Sequence, residues 1–285
     1  MNQKKHLIQR SLRMRRMALA SIFEAKSGHP GGVLSAIDII NYILCENKKS
    51  NKEKKFILSK GHAGPALYAA AAENGWIQTK ELSKLRKLGS PLQGHPSVTQ
   101  TSWSETSTGS LGQGFSVAVG MSMGYVHQKK NTNVIVMLGD GELQEGEIWE
   151  GAMCAAHYKL SNLCAIVDYN KLQSDDFNKN IIELEPLSEK WRSFNWNVLE
   201  IDGHDFNQIQ NAFEEVKNVE NKPSVIIAHT IKGKGISFME NIPSWHGSVK
   251  LLPEELEKSL VELETPPDQI PLFLNGKIWS KFNER

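Results

Sequence analysis

The sequence predicts an α/β protein: a doubly wound parallel sheet with helices on both faces. Short apolar runs rich in β-branched residues recur at 133–138, 163–167, 198–201 and 225–228, each the length of a buried strand. Segments with apolar residues at helical spacing separate these runs. Two of the runs stop on polar turns, at Gly139-Asp140-Gly141 and at Asp168-Tyr169-Asn170. Strands that alternate with helices in this way imply parallel pairing, with all carboxyl ends facing one side.

Taken in order, residues 4–26 predict one helix. Ile8, Leu12, Leu19 and Ile22 share a face, while Lys4, Lys5, Arg10, Arg13 and Arg16 keep to the polar side or the ends. A basic amphipathic start also fits a transit peptide or a nucleic-acid arm, but a solvated helix face is the simpler reading. Residues 35–44 form a second helix, with Ile37, Ile40 and Leu44 spaced for burial, and 48–55 a charged loop. Phe56-Ile57-Leu58 is a short strand feeding the turn Ser59-Lys60-Gly61-His62, and a helix begins near Pro65. Residues 82–88 predict a small helix. The stretch 112–126 is helical and rich in glycine and alanine, small residues that allow close approach by another helix or a cofactor.

Ile148, Trp149, Ala152, Ala155, Ala156 and Tyr158 mark the helix between the 133–138 and 163–167 strands. Residues 206–216 make the helix between the last two strands. After Pro253 a helix runs to Glu264, and Pro266-Pro267 ends it. The last eighteen or so residues read as irregular and free to drape over a neighbour, a boundary good to about ±2–4 residues.

A chain of 285 residues, 40% of them hydrophobic, suffices for one sizeable core. Its net charge of +1 gives no footprint for nucleic acid or an anionic membrane surface. The three cysteines, Cys45, Cys154 and Cys164, have no CxxC spacing; Cys154 and Cys164 lie in apolar runs as small core residues. No apolar stretch reaches the ~18 residues of a membrane helix, and no secretory signal is visible. These features place the chain in the cytoplasm.

The chemistry concentrates where two strands end. Asp140 and Asn170 lie thirty positions apart, yet the β-α-β unit between them makes them spatial neighbours at the sheet's ligand-binding edge. A carboxylate and an amide oxygen are hard donors that suit Mg²⁺ or Ca²⁺ rather than Zn²⁺. The Leu172 carbonyl can add a third oxygen, and Gly139 and Gly141 let the backbone approach a phosphate. Asp-Gly alone is more often a simple turn; the helix that follows and the Asn that ends the partner strand favour a metal-diphosphate site.

Of nine histidines, His29, His62, His95 and His246 sit beside glycine in turns, where a ring can be presented to a cavity. Imidazole suits proton transfer near neutral pH. None of the four has the spacing of a zinc motif such as HExxH. Gly109-Ser110-Leu111-Gly112-Gln113-Gly114 opens a helix whose N-terminus is a natural place for phosphate contacts, although its order differs from GxGxxG. Lys232-Gly233-Lys234-Gly235 lacks the P-loop frame.

The string GDGELQEGEIWEGAMCAAHYKLSNLCAIVDYN resembles the thiamine diphosphate signature, in its transketolase form. The likeness runs from about Leu12 to His246 and includes SGHPGG, LSKGHAGPALYA, LQGHP, STGSLGQG and HTIKGKGISFMEN. It implies a single diphosphate-binding domain over 1–285, with a helical or irregular tail from about 251. It implies thiamine diphosphate with Mg²⁺ (or Ca²⁺) on Asp140, Asn170 and Leu172, and cofactor contacts from His62, Gly109, Leu111, Gly141, Glu145, Asn170 and His246. His29, His95 and His246 become the catalytic histidines, and Glu145 reaches across a subunit interface. The family continues WHG with Lys-Ala-Pro where this chain has Ser248-Val249-Lys250, and the segment 101–104 replaces a Pro-Gly-Val type loop.

The family's aminopyrimidine-contacting glutamate and its sugar-phosphate groups lie in a second, pyrimidine-binding domain that this sequence does not contain. The resemblance therefore implies a split enzyme, an α2β2 assembly with a separate pyrimidine-binding subunit. Its reaction is transfer of a two-carbon ketol unit between sugars or sugar phosphates. The competing readings are a ketol transferase for an unusual or branched sugar, a non-catalytic scaffold and a 2-oxo acid dehydrogenase α subunit.

Overall fold

The computed structural model describes residues 2–46, 54–247 and 249–281. Five strands, β1 (Lys54–Leu58), β2 (Asn133–Gly139), β3 (Leu163–Tyr169), β4 (Asn197–Asp202) and β5 (Ser224–His229), form one sheet in the order β1-β2-β3-β5-β4. Every pairing is parallel. Helices α1 (Asn2–Ala25) and α2 (Pro30–Glu46) precede the sheet, and α3 (Gly64–Glu73) and α4 (Gln113–His127) join β1 to β2. Next, α5 (Gly146–His157) joins β2 to β3, α6 (Asn178–Ile181) and α7 (Leu187–Ser193) lead to β4, and α8 (Phe206–Val216) leads to β5. The chain then runs through α9 (Pro253–Glu262), α10 (Ile270–Leu274) and α11 (Ile278–Lys281).

The pleat divides the strand residues between two cores. Ile135, Met137, Cys164, Ile166 and Ile226 face a core shared with α1, α2, α3, α8 and the tail. Val134, Val136, Leu138, Ala165, Val167 and Ile227 face a second core with α4, α5 and α7, centred on the fully buried Trp191. Burial of both faces explains why β2, β3 and β5 read as unbroken apolar runs, whereas β4, at the sheet edge, is only partly buried.

Several expectations are corrected. The second helix begins at Pro30 rather than residue 35, because proline at the first helical position leaves no N–H to satisfy. Lys54 and Lys55 open β1 instead of lying in a loop, while the rest of that loop falls outside the described residues. The helix expected at 82–88 is a 3₁₀ turn over Thr79–Lys84, and Arg86 beyond it has φ +59°.

The basic face of α1 is not merely solvated. Arg13 pairs with Glu73 at 2.9 Å, buried Arg15 with Asp38 at 2.7 Å, and Arg16 donates to the Leu263 carbonyl. Ile8 is exposed, whereas Leu7, Met14 and Met17 complete the buried face. Tyr158 caps α5 from the outside and is exposed, and Cys154 is only half-buried. All three cysteines are free, and burial pushes the Cys164 thiol up to about 12.

The tail forms two short helices, α10 and α11, which pack on their own chain. Phe273, Ile278 and Trp279 enter the first core, and the Trp279 indole N–H donates to Glu24.

Candidate active site

Four strand ends converge on one cavity. In the register, Gly139 of β2 stands opposite Asp168 of β3, and Asp168 opposite Ala228 of β5. The residues just beyond these strands and beyond β1 therefore meet. Asp168, fully buried on β3, accepts from Lys60 beyond β1, from the Ser35 hydroxyl at 2.6 Å and from Thr230 beyond β5. Burial works against its charge, but the Lys60 ammonium and the two hydroxyls hold it below the usual carboxylate range. Glu142 is a second buried brace. It accepts from Ser59 and from the Gly112 and Gly139 amides, the two amides each at 3.0 Å, tying β1, β2 and the start of α4 together. The first amide at the mouth of α4 thus serves the chain's own carboxylate, not a ligand.

The cavity, about 240 Å³, brings together Asp140, Gly141, Asn170 and Leu172 with His29, His62, His95 and His246, and Gly109 and Leu111 line it too. Asp140 is 3% exposed; one oxygen accepts from the Gly141 amide at 2.8 Å and the other from the Lys171 amide at 2.5 Å. Asn170 Oδ1 accepts from the Leu172 amide at 3.2 Å. The Leu172 carbonyl accepts from Lys232 Nζ at 2.7 Å, and the same ammonium lies 2.5 Å from His246 Nδ1.

Burial raises Asp140 to about 6 despite the opposing Lys232 charge. Lys232, itself buried, is lowered to about 8. One carboxylate, one amide and one carbonyl make a hard-oxygen set. Among the described residues no group of three or more His, Cys, Asp or Glu is arranged to hold a metal.

The histidines arrive from four separate turns. His29 directly precedes the first residue of α2, His62 lies in the 3₁₀ turn Gly61–Ala63, His95 in a long loop, and His246 just beyond the 3₁₀ turn Pro243–Trp245. The His29 ring centroid lies 5.4 Å from that of His62, 6.5 Å from His95 and 5.9 Å from His246. Burial is the main reason all four titrate low. His29 falls to about 4 and His246 to about 3, with His62 well below and His95 below the ordinary 6.5. At neutral pH the cavity therefore holds neutral rings, each with one N–H donor and one acceptor. The chain after WHG returns to this cluster. The Val249 amide donates to the Gly28 carbonyl at 3.0 Å, and a Cβ on Gly247 would meet His29 Nε2 at 2.6 Å.

All the predicted site residues but one line the cavity. Glu145 is exposed at the N-cap of α5 and stands outside it. Sequence reasoning missed Lys232, Lys60, Glu142 and Gln173, whose buried Nε2 has no partner. For Lys232 the signal was the glycine after it. Gly233 has φ +81°, and a Cβ there would clash with the Met239 backbone, so the turn directly after the lysine requires glycine. That loop is braced from behind: His204 accepts from the Ile231 amide at 2.9 Å and bonds Asp38 at 2.8 Å. In the 101–104 segment, Trp103 is wedged against Tyr68 and Trp76.

A parallel α/β sheet with an oxygen trio, a lysine and four neutral imidazoles at its carboxyl edge has the architecture of a cofactor-binding enzyme domain. Residues 6–269 match the family described as transketolase, thiamine diphosphate binding domain, and the chain belongs to it. It is 40% identical to a 6-deoxy-6-sulfo-D-fructose transketolase subunit from Clostridium sp., covering 88% of this chain and 94% of that one. It is 36% identical to an apulose-4-phosphate transketolase subunit from Phocaeicola vulgatus, over 92% and 95% of the two chains. Among solved structures, transketolase from Leishmania mexicana superposes with a TM-score of 0.86 at 25% identity, over 97% of this chain but 46% of that one. The chain thus spans nearly the whole of the two subunits and under half of that transketolase chain. Membership of this family decides against the 2-oxo acid dehydrogenase reading. No described helix is long and apolar enough to cross a membrane.

Proposed function

We propose that this chain is the cofactor-anchoring subunit of a two-chain, cytoplasmic transketolase that moves a two-carbon ketol unit from a ketose to an aldose. The observation that carries the reading is the cavity itself, hard oxygens and neutral histidines together, on a chain coextensive with relatives named as subunits. The residues present fit the group. Asp140, Asn170 and the Leu172 carbonyl would hold Mg²⁺ (or Ca²⁺), which completes its shell with water and diphosphate oxygens. His62 and Lys232 would hold the diphosphate, with Gly141 letting the backbone come close, and Gln173, which also lines the cavity, has a buried Nε2 with no partner.

Thiamine diphosphate, when bound, supplies the electron sink for breaking and making a carbon–carbon bond beside a carbonyl. The chain's own part is proton handling. His29, His95 and His246, neutral at pH 7, can give a proton to a substrate carbonyl oxygen and take one from a hydroxyl. Lys232 donates to His246 Nδ1, which puts the proton of that ring on Nε2. A pyrimidine-binding subunit completes the site in an α2β2 assembly, with Glu145 at the interface. An unusual sugar substrate is the favoured class, because both near-full-length relatives are named for one.

The test is to reconstitute the chain with its pyrimidine-binding partner, thiamine diphosphate and Mg²⁺. Ketol transfer is then assayed across common pentose and hexose phosphates, sulfosugars and branched sugars. Transfer from at least one ketose is expected; a loaded complex that transfers from none overturns the reading.

A further inference from the structure

Arg86 lies outside the cavity, yet it touches both histidine turns on one side of it. Its backbone is left-handed, with φ +59°, and its amide donates to the Leu92 carbonyl at 2.8 Å. This conformation is uncommon for a non-glycine residue, and here it aims the side chain back under the fold. Nη1 donates to the Ser27 hydroxyl at 2.6 Å, and Nη2 lies 3.5 Å from His29 Nδ1. The guanidinium also lies against Gly94, where a Cβ would come within 2.9 Å of Nε and Nη2. A side chain at position 94 would have to displace the guanidinium, and His95 follows directly. Its side chain thus donates to the Ser27 hydroxyl and lies against the His29 imidazole.

A guanidinium has only donors. The ring nitrogen it faces must present a lone pair, which leaves the proton of His29 on Nε2, the edge beside Gly247. We propose that Arg86 is a positioning residue: it clamps the Ser27-Gly28-His29 turn to the Gly94-His95 turn and fixes His29 as the Nε2–H tautomer. The catalytic consequence rests on the proposed function; the clamp and the tautomer do not. Its positive charge also adds to the burial that keeps His29 and His95 neutral. Burial comes first for His29, and the groups facing it are Arg86, His95, Lys232 and Lys60, with His62 and His246 in ring contact.

The experiment is nitrogen-15 NMR of histidine-labelled full-length chain, as wild type, R86K and R86M. The His29 signals are assigned with H29Q, and circular dichroism checks the fold. Wild type is expected to show His29 as the Nε2–H tautomer, titrating near 4. In R86M the tautomers mix and the His29 pKa rises, stopping short of 6.5 because burial remains. R86K keeps the charge without the fork, so the pKa stays low while the tautomer bias is lost.

In the reconstituted pair, R86M is expected to lower kcat roughly ten- to a hundredfold, with the apparent affinity for thiamine diphosphate unchanged. A folded R86M chain whose His29 tautomer and titration match wild type overturns the proposal. So does an R86M pair that loses cofactor affinity and kcat together. An inactive wild-type pair fails the functional reading alone, because the NMR result stands without turnover.

Discussion

The two sides of the cavity are built differently. The oxygen side, Asp140, Asn170 and Leu172, is set by the register of adjacent parallel strands and by buried braces beneath them. The histidine side is assembled from four turns and held by loop-to-loop contacts: Arg86 on Ser27, Val249 on Gly28, and Lys232 on His246. Strand register moves only if the sheet moves, whereas a turn can shift by itself. Damage on the oxygen side should therefore appear as lost folding or lost cofactor binding. Damage on the histidine side should appear as lost turnover with binding kept.

The largest effect is expected from Asp168→Asn. Removing one partner leaves Lys60 charged and buried, a loss of about 3–5 kcal/mol for a broken buried pair, read as a lowered urea midpoint. Because the folded pKa of Asp168 is depressed, its contribution is present above the unfolded pKa of about 3.9 and is lost as pH falls toward the folded value. Next comes Asp140→Ala in the reconstituted complex. Cofactor affinity in Mg²⁺ should fall by at least about a hundredfold, the upper range seen for the supporting shell of a metal, as measured by calorimetry. Unchanged affinity would remove the oxygen side from the site and favour the scaffold reading.

On the histidine side, Gly247→Ala places a methyl against the His29 ring. A fall in kcat of about tenfold, on the scale of a displaced proton-transfer group, is expected with cofactor affinity within about twofold of wild type, near the limit of additivity for separate sites. A parallel loss of affinity would erase the distinction between the two sides.

The smallest effect is a pH slope. His62 titrates well below 6.5 in the fold, so unfolding takes up a proton as pH drops beneath 6.5. Stability should therefore fall as pH is lowered from 6.5, until the folded value is reached. Asp140 and Glu142, both raised by burial, act in the opposite sense. The difference in slope between wild type and His62→Gln isolates the histidine; identical slopes would mean that His62 is not held neutral.

What the sequence revealed follows the same division. The apolar runs located all five strands within a few residues: β2, β3 and β5 are buried on both faces, and the partly exposed edge strand β4 still carries Val198, Leu199 and Ile201. The Asp140–Asn170 pair was legible for the same reason, as a consequence of β-α-β geometry. The four histidines could be grouped only through whole motifs, since no periodicity links positions 29, 62, 95 and 246. The Lys60–Asp168 pair, the Glu142 bonds to Ser59 and Gly112 and the Arg86 bond to Ser27 join positions between 30 and 108 residues apart and left no local trace. The arginines of α1 read as solvated because helical spacing shows which residues share a face, but not that Glu73, Asp38 and the end of α9 cover that face. The tail looked irregular because α10 and α11 are too short to display a period; buried Trp279 and Phe273 reveal their packing only in three dimensions.

The central claim is that this chain carries half of an active site. It is tested most directly by assaying ketol transfer with thiamine diphosphate and Mg²⁺ present throughout, first with the purified chain alone and then with equimolar pyrimidine-binding partner. The account predicts no transfer from the chain alone and transfer from the pair. Full activity from the chain alone would contradict it.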